Sequence, residues 1–162
     1  MDTQIDYSPE ENLIRQSLQG ACSIANLSRV MESMQKYPIS PGLRILTDIT
    51  NADLEDTDYS SLYQLESRLD ILLDKYMPIY KAIVVNSDLE FGIARMYQML
   101  AEKEGFEVRV FRDTTKAEAW LASCMAWAVC GRHTRMKRAG RHMSTEHLAN
   151  ASLFYLKNWV NL

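Results

Sequence analysis

Two groups of residues in this 162-residue sequence are of types, and at spacings, that could do chemistry: the acidic series Asp48, Asp53, Glu55, Asp56 and Asp58, and Arg112. Closely spaced carboxylates offer hard oxygen ligands to a divalent cation. This spacing matches no calcium loop, however, and a solvated acidic loop is the better reading. Arg112 closes an alternating segment, Glu107 to Arg112. An arginine at the carboxyl end of a strand stands on the rim where open α/β sheets place ligands, and it can hold a phosphate, a carboxylate or an acidic side chain. Its structural alternative is an ion pair with Asp88, Glu90 or Asp113. Cys124, Cys130, His133 and His142 are zinc-competent residue types, but C-x5-C-x2-H-x8-H departs from structural zinc spacings. All three histidines, His133, His142 and His147, lie late in the chain, which removes the commonest general base from the rim. The six glycines form neither a GxGxxG nor a GxxxxGK[ST] pattern. No cofactor and no metal is expected. An enzyme acting through Asp48 and Arg112 is the least favoured class, for want of a nucleophile beside a base.

The elements that would position these residues follow from periodicity. Thr3 to Tyr7 and Asn12 to Leu18 read as a hairpin around Ser8-Pro9-Glu10-Glu11. Ser23 can cap a helix carrying Ile24, Leu27, Met31 and Met34, which Pro38, Pro41 and Gly42 stop. RILTDIT, Arg44 to Thr50, is a strand running into the polar loop Asn51 to Asp58. From Ser60 to Met77 an apolar stripe of Leu62, Leu65, Leu69, Leu72, Leu73 and Tyr76 stands opposite Glu66, Arg68, Asp70 and Asp74. KAIVVN, Lys81 to Asn86, is a continuous apolar run, expected of a central strand covered on both faces. Ser87 and Glu90 form a capping box, and the helix after it runs through Leu100 to a stop at Gly105. Asp113 to Thr115 opens a last helix with Ala117, Trp120 and Leu121 inside. The order β-β-α-β-α-β-α-β-α predicts an α/β fold with a mostly parallel sheet of about five strands, an antiparallel edge strand and flanking helices.

Composition agrees with one globular domain: 47% of residues are apolar and 24% charged, with net charge −3. That balance excludes a broadly basic nucleic-acid coat and an acidic disordered chain. The charge is uneven. Residues 1 to 121 carry 12 basic and 20 acidic side chains, and residues 122 to 162 carry 6 and 1. Three cysteines, Cys22, Cys124 and Cys130, are too few for a disulfide framework, so a reduced, cytoplasmic setting is expected. The longest nearly apolar stretch, Ala119 to Cys130, is shorter than the roughly 20 residues a bilayer needs.

Three segments, RILTDIT, KAIVVNSDLEFGIARMYQML and EVRVFRDTTKAEAWL, together resemble the SpoIIAA-like family, also called the STAS/SEC14 type. The specific part is Phe91-Gly92-Ile93-Ala94-Arg95-Met96, then Phe111-Arg112-Asp113 with Ala119-Trp120-Leu121 closing. The resemblance covers residues 1 to about 122 and implies a small bacterial α/β sandwich without a generally assigned enzymatic activity. In anti-sigma-factor antagonists of this type a serine at the start of the helix after the third strand is phosphorylated. The matching stretch is Asp58-Tyr59-Ser60-Ser61-Leu62, so Ser60 and Ser61 are the implied phosphoacceptors. The usual glycine after the serine pair is absent, and the preceding loop is longer and more acidic. A phosphate there would gain from the helix N-terminus but be repelled by the neighbouring carboxylates; serines that simply cap the helix are the better-supported reading. Arg95 and Arg112 lie inside the recurring segments and join Asp48, Asp58 and Asp88 as candidate interaction or ligand residues. The leading expectation is a non-enzymatic interaction module that works through the loop before Ser60 and the helix beginning near Asp88. The alternative is a carrier of lipid or a small ligand, which requires a cavity between the Ser60 and Ser87 helices and the sheet.

Beyond the part that resembles the family, residues 123 to 143 read as a basic linker or helix continuation, with Arg132, Arg135, Lys137, Arg138 and Arg141 inside ten residues. Such a run extends unless it meets negative charge, from nucleic acid, an anionic membrane surface or the acidic loop at 53 to 58; the few aromatics in it weaken the case for single-strand binding, and a solvated linker is the favoured reading. Residues 144 to 162 read as a helix with Leu148, Leu153, Leu156 and Val160 on one face, through which a homo-oligomer could form.

Overall fold

The computed structural model describes residues 2–55 and 57–130. The chain divides into two units, Met1–Arg132 and His133–Leu162, and all described residues belong to the first. The basic run and the C-terminal helix expected from the sequence lie outside the described residues. Five strands form one sheet in chain order: β1 (Asp2–Ser8), β2 (Leu13–Ala21), β3 (Leu43–Asp53), β4 (Ile79–Val84) and β5 (Phe106–Phe111). β1 pairs antiparallel to β2, and every other pair is parallel. The helices are α1 (Ile24–Met34), α2 (Tyr59–Leu73), α3 (Asp88–Ala101) and α4 (Thr114–Cys130). The expected fold class and the antiparallel edge are both present.

Alternation along each strand splits the core in two. Ile14, Leu18, Ile45, Ile49, Ile79, Ile83 and Val108 share one cluster with the inner residues of α1, α2 and α3. Leu13, Leu46, Ala82 and Val84 share the other with Ala117 and Leu121 of α4. The apolar run of β4 therefore meets helices above and below, and Ala82 is 0% exposed. Its place differs from expectation in one respect. β4 lies between β3 and β5, and the middle strand of the five is β3. β3 is also longer than the sequence predicts: it continues to Asp53, because past a one-residue bulge in β3 itself residues 51–53 pair with Gln19, Gly20 and Ala21.

The capping box of α3 forms as predicted. Ser87 Oγ accepts from the Glu90 N–H at 3.1 Å, and Glu90 Oε2 accepts from the N–H groups of Asn86 and Ser87 at 2.6 and 3.2 Å. Gly105 does not stop α3, which ends at Ala101; its positive φ of 85° serves the turn into β5. The hairpin is held by Arg44, a buried residue whose guanidinium donates to the carbonyls of Glu11 and Leu121, tying the β1–β2 turn to α4.

Ile45→Ala should cost about 2–5 kcal/mol of unfolding free energy, because Ile45 fills the larger cluster beneath the middle strand. Ser87→Ala should cost about 1 kcal/mol by removing one side of the capping box. Urea titration followed by far-ultraviolet circular dichroism checks both, and equal losses from the two variants would contradict this division of roles.

Candidate functional site

Parallel strands joined by crossovers bring the carboxyl ends of β2 to β5, and hence the amino ends of all four helices, to one rim. Each helix start is closed there by a side chain. Ser23 accepts from Asn26 N–H, Asp58 from Ser61 N–H at 2.7 Å, Ser87 from Glu90 N–H, and Asp113 from Lys116 N–H at 3.1 Å. Two of the four caps are carboxylates, so the rim is acidic where the helix dipoles are positive.

The cap of α2 corrects the sequence reading. Asp58, not a serine, is the N-cap, and Ser60 and Ser61 stand inside the first turn. Hydrogen bonding to Ser61, through its side chain first and its main-chain N–H second, holds the Asp58 carboxyl below the usual carboxylate range. Ser60 is exposed, while Ser61 is half-buried at the edge of a cleft between α1 and α2.

Of the other predicted residues, Arg112 and Asp88 come together. The Arg112 guanidinium pairs with Asp88, donates to the Asn86 carbonyl at 3.3 Å and lies 5.0 Å over the Phe91 ring. Asp88 is thus the partner among the three acidic residues weighed from the sequence. Arg112 ties the β5–α4 turn to the start of α3, and Asp88, its side chain 98% exposed, keeps its outer face open to solvent. Asp48 folds back on its own strand, accepting from the Thr50 N–H at 3.0 Å and the Thr50 hydroxyl at 2.8 Å. Arg95 is exposed on α3 and donates to Gln98 at 2.6 Å. Neither is joined to the Asp58 or Asp88 groups. Among the described residues, no three His, Cys, Asp or Glu side chains converge as a metal site would require.

A second polar group lies where the sequence reading expects only core. Glu66, placed by periodicity on the solvent face of α2, is 7% exposed. It faces Lys81, the first residue of the apolar run, which is equally buried. Lys81 Nζ donates to the Tyr97 hydroxyl at 3.3 Å and lies 4.5 Å above that ring. Gln16 Nε2 donates to Thr47 Oγ1 at 2.6 Å, which leaves Gln16 Oε1 without a hydrogen-bond partner among the described residues; the Glu66 carboxylate lies beside the Tyr97 hydroxyl but makes no hydrogen bond of full geometry to it. Burial lowers the Lys81 ammonium to about 8, partly offset by Glu66, and burial raises the Glu66 carboxyl, partly offset by Lys81. The two carry opposite charges yet form no direct ion pair. The signals missed in the sequence were a lysine opening the most apolar strand and a glutamate between Leu65 and Leu69.

Gln16, Thr47, Lys81 and Tyr97 are polar members of the lining of a chamber of about 70 Å³ roofed by α1, α2 and α3. Cys22, Leu27, Thr57, Leu62 and Leu65 line both this chamber and an adjoining cleft of about 370 Å³, which opens between the starts of α1 and α2. Under α2 and α3, where the carrier alternative needs its cavity, there is only the small chamber; the larger cleft lies between α1 and α2.

Among solved structures, this architecture resembles that of an uncharacterized protein of the DUF3478 family with a SpoIIAA-like fold, from Shewanella loihica PV-4. The TM-score is 0.50 at 18% identity, over 74% of this chain and 92% of that one. The fold is SpoIIAA-like. No protein-family model and no curated protein matches the sequence. The SpoIIAA-like fold accounts for the strand order and for the single rim. The side chains on that rim and under α1 to α3 are this chain's own evidence about its role. No helix among the described residues is long and apolar enough to cross a membrane.

The buried lysine sets a pH dependence. Between its folded value near 8 and its ordinary 10.5, the unfolded chain binds more protons at Lys81 than the folded chain does, so stability rises with pH. The Cys22 thiol, pushed up by burial from 9.0 to about 11, acts in the opposite sense above pH 9. The net gain is confined to about pH 8 to 9 and amounts to at most about 1.4 kcal/mol. Denaturant midpoints of the wild type should rise across that interval and those of Lys81→Met should stay flat; a rise of equal size in both would remove Lys81 as its source.

Proposed function

We propose that this chain is a non-enzymatic recognition module that binds a protein partner through the rim formed by the loop before α2 and the start of α3. The observation that carries this reading is how the rim's functional groups are used. Asp58, Ser87, Glu90 and Asp113 are engaged by main-chain N–H groups, and Arg112 is engaged by Asp88 and a carbonyl, so they hold a fixed charged surface. A carboxylate already serving as a cap is poorly placed to pass protons in catalysis, but it presents its free oxygen to a cationic partner side chain. Ser60, exposed one position before Ser61 in the same helix turn, is the residue at which a phosphate would add charge to this surface, and Asp58 would oppose that addition.

A second reading, a small-ligand carrier of SEC14-like type, is supported by the chamber and cleft beneath α1 and α2. The two readings use different parts of the molecule: the outer rim for one, the interior for the other.

Purification of the full chain from its own host, with native mass spectrometry of the product, distinguishes them. The rim reading expects a protein partner retained by wild type and lost from Asp58→Asn/Asp88→Lys at an unchanged far-ultraviolet spectrum. Equal retention by both proteins would overturn it. A bound small molecule in place of a partner would favour the carrier.

A further inference from the structure

We infer that the outer edge of β1 is the contact by which two copies of this chain join, antiparallel about a two-fold axis at Ile5, so that their sheets run on into one. This contact differs from the one that residues 144 to 162 would give.

Hydrogen-bond phase along the hairpin decides which groups face outward. The Arg44 N–H donates to the Asn12 carbonyl at 3.0 Å, so Asn12, Ile14 and Gln16 aim their main-chain groups at β3, while Leu13, Arg15, Ser17 and Gln19 aim theirs at β1. Their partners Ser8, Asp6, Gln4 and Asp2 are thereby spent on the ladder. Thr3, Ile5 and Tyr7 alternate with these and point their N–H and C=O groups away from the sheet. All three are half-buried, and among the described residues nothing bonds to those main-chain groups.

The two edges of the sheet are not alike. At β5 the bonds from Ile79 N–H to Gly105 and from Val85 N–H to Phe111 turn the even-numbered residues outward; there Phe106 exchanges bonds with Lys103, and Val108 is 1% exposed. That edge is closed. β1 keeps a regular register over seven residues with no proline, lysine or bulge, the devices that stop an edge from pairing. Left in water, such an edge is a template for another strand.

Charge chooses the strand and its register. Only residues 3, 5 and 7 can exchange bonds across this edge, so a two-fold pairing of β1 with itself that makes more than one such exchange centres on Gln4, Ile5 or Asp6. Centring on Gln4 sets Asp2 against Asp6 of the second copy, and centring on Asp6 sets that carboxylate against itself; both oppose like charges. Centring on Ile5 opposes Asp2 to Ser8 and Gln4 to Asp6, which removes the conflict. It also gives three outward pairs, Thr3–Tyr7, Ile5–Ile5 and Tyr7–Thr3, each exchanging two main-chain bonds. On the helix side the two Ile5 side chains, each packed against its own core, cover one another, and Thr3 meets the Tyr7 ring as a favourable cross-strand pair. Because β5 is closed, the contact ends at two copies.

Sedimentation of the intact chain at about 0.1 mM, where a contact of even μM strength is saturated, should give twice the mass of the single chain. Ile5→Pro should sediment as a single chain with an unchanged far-ultraviolet spectrum, because the N–H it removes faces outward and takes no part in the β1–β2 ladder. Ile5→Cys should cross-link to itself under mild oxidation, its Cα atoms meeting about 5.5 Å apart, whereas Gln4→Cys, displaced by two residues from its own copy, should not. A single-chain mass for the wild type would overturn the proposal. So would a dimer that persists in Ile5→Pro, the result expected if residues 144 to 162 make the contact, or cross-linking of Gln4→Cys in place of Ile5→Cys. The cross-linking pair keeps the test decisive should Ile5→Pro fail to fold.

Discussion

The fold depends on a parallel sheet that must be covered on both faces. Four adjacent parallel strands in chain order require crossovers of one hand, which place α1, α2 and α3 on the same side. The opposite face would then stand bare, with Leu13, Leu46, Ala82 and Val84 in water. α4 covers it through Ala117 and Leu121, with Trp120 against Tyr80 and Phe111 at the margin. A chain that had to bury the sheet twice thereby acquires a single rim of four helix starts.

Energetics separate that rim from the interior. On the rim, polar groups complete the backbone bonding of the helices, and each such cap stabilises its helix by about 1 kcal/mol. Inside, Lys81 and Glu66 are poorly solvated and do not touch, an arrangement that an apolar pair of similar volume would improve upon as regards stability. The surrounding shell of Ile83, Ile93 and Leu65 is well buried, so the polar island is surrounded by packing strong enough to hold it. The contrast between polar groups that finish the scaffold and polar groups that burden it distinguishes the two candidate sites.

Much of the scaffold was legible in the residues. The run 82–85 announced a strand with helices on both sides, Ser87 and Glu90 announced a helix start, and Ser23 with Ile24, Leu27, Met31 and Met34 announced α1. The Arg112 ion pair was legible as one of three choices, and only the geometry picked Asp88. Asp58 was read as part of the acidic loop although aspartate is as good an N-cap as serine. Periodicity puts Glu66 on the solvent face because a helical stripe is defined by its apolar members, and a lone carboxylate at its margin carries no mark of what it will face.

Local residue patterns suffice for the alternation of strands and helices, the two-sided burial of β4 and the caps of α1 and α3, since each depends on residues a few positions apart. Tertiary packing is what makes β3 the middle strand, lays α4 over the far face, and brings Gln16, Lys81 and Tyr97 to one chamber with Glu66 buried close by. Those residues come from four elements spread over eighty positions. What brings them together is the crossover geometry of the sheet, which no local pattern of residue types encodes.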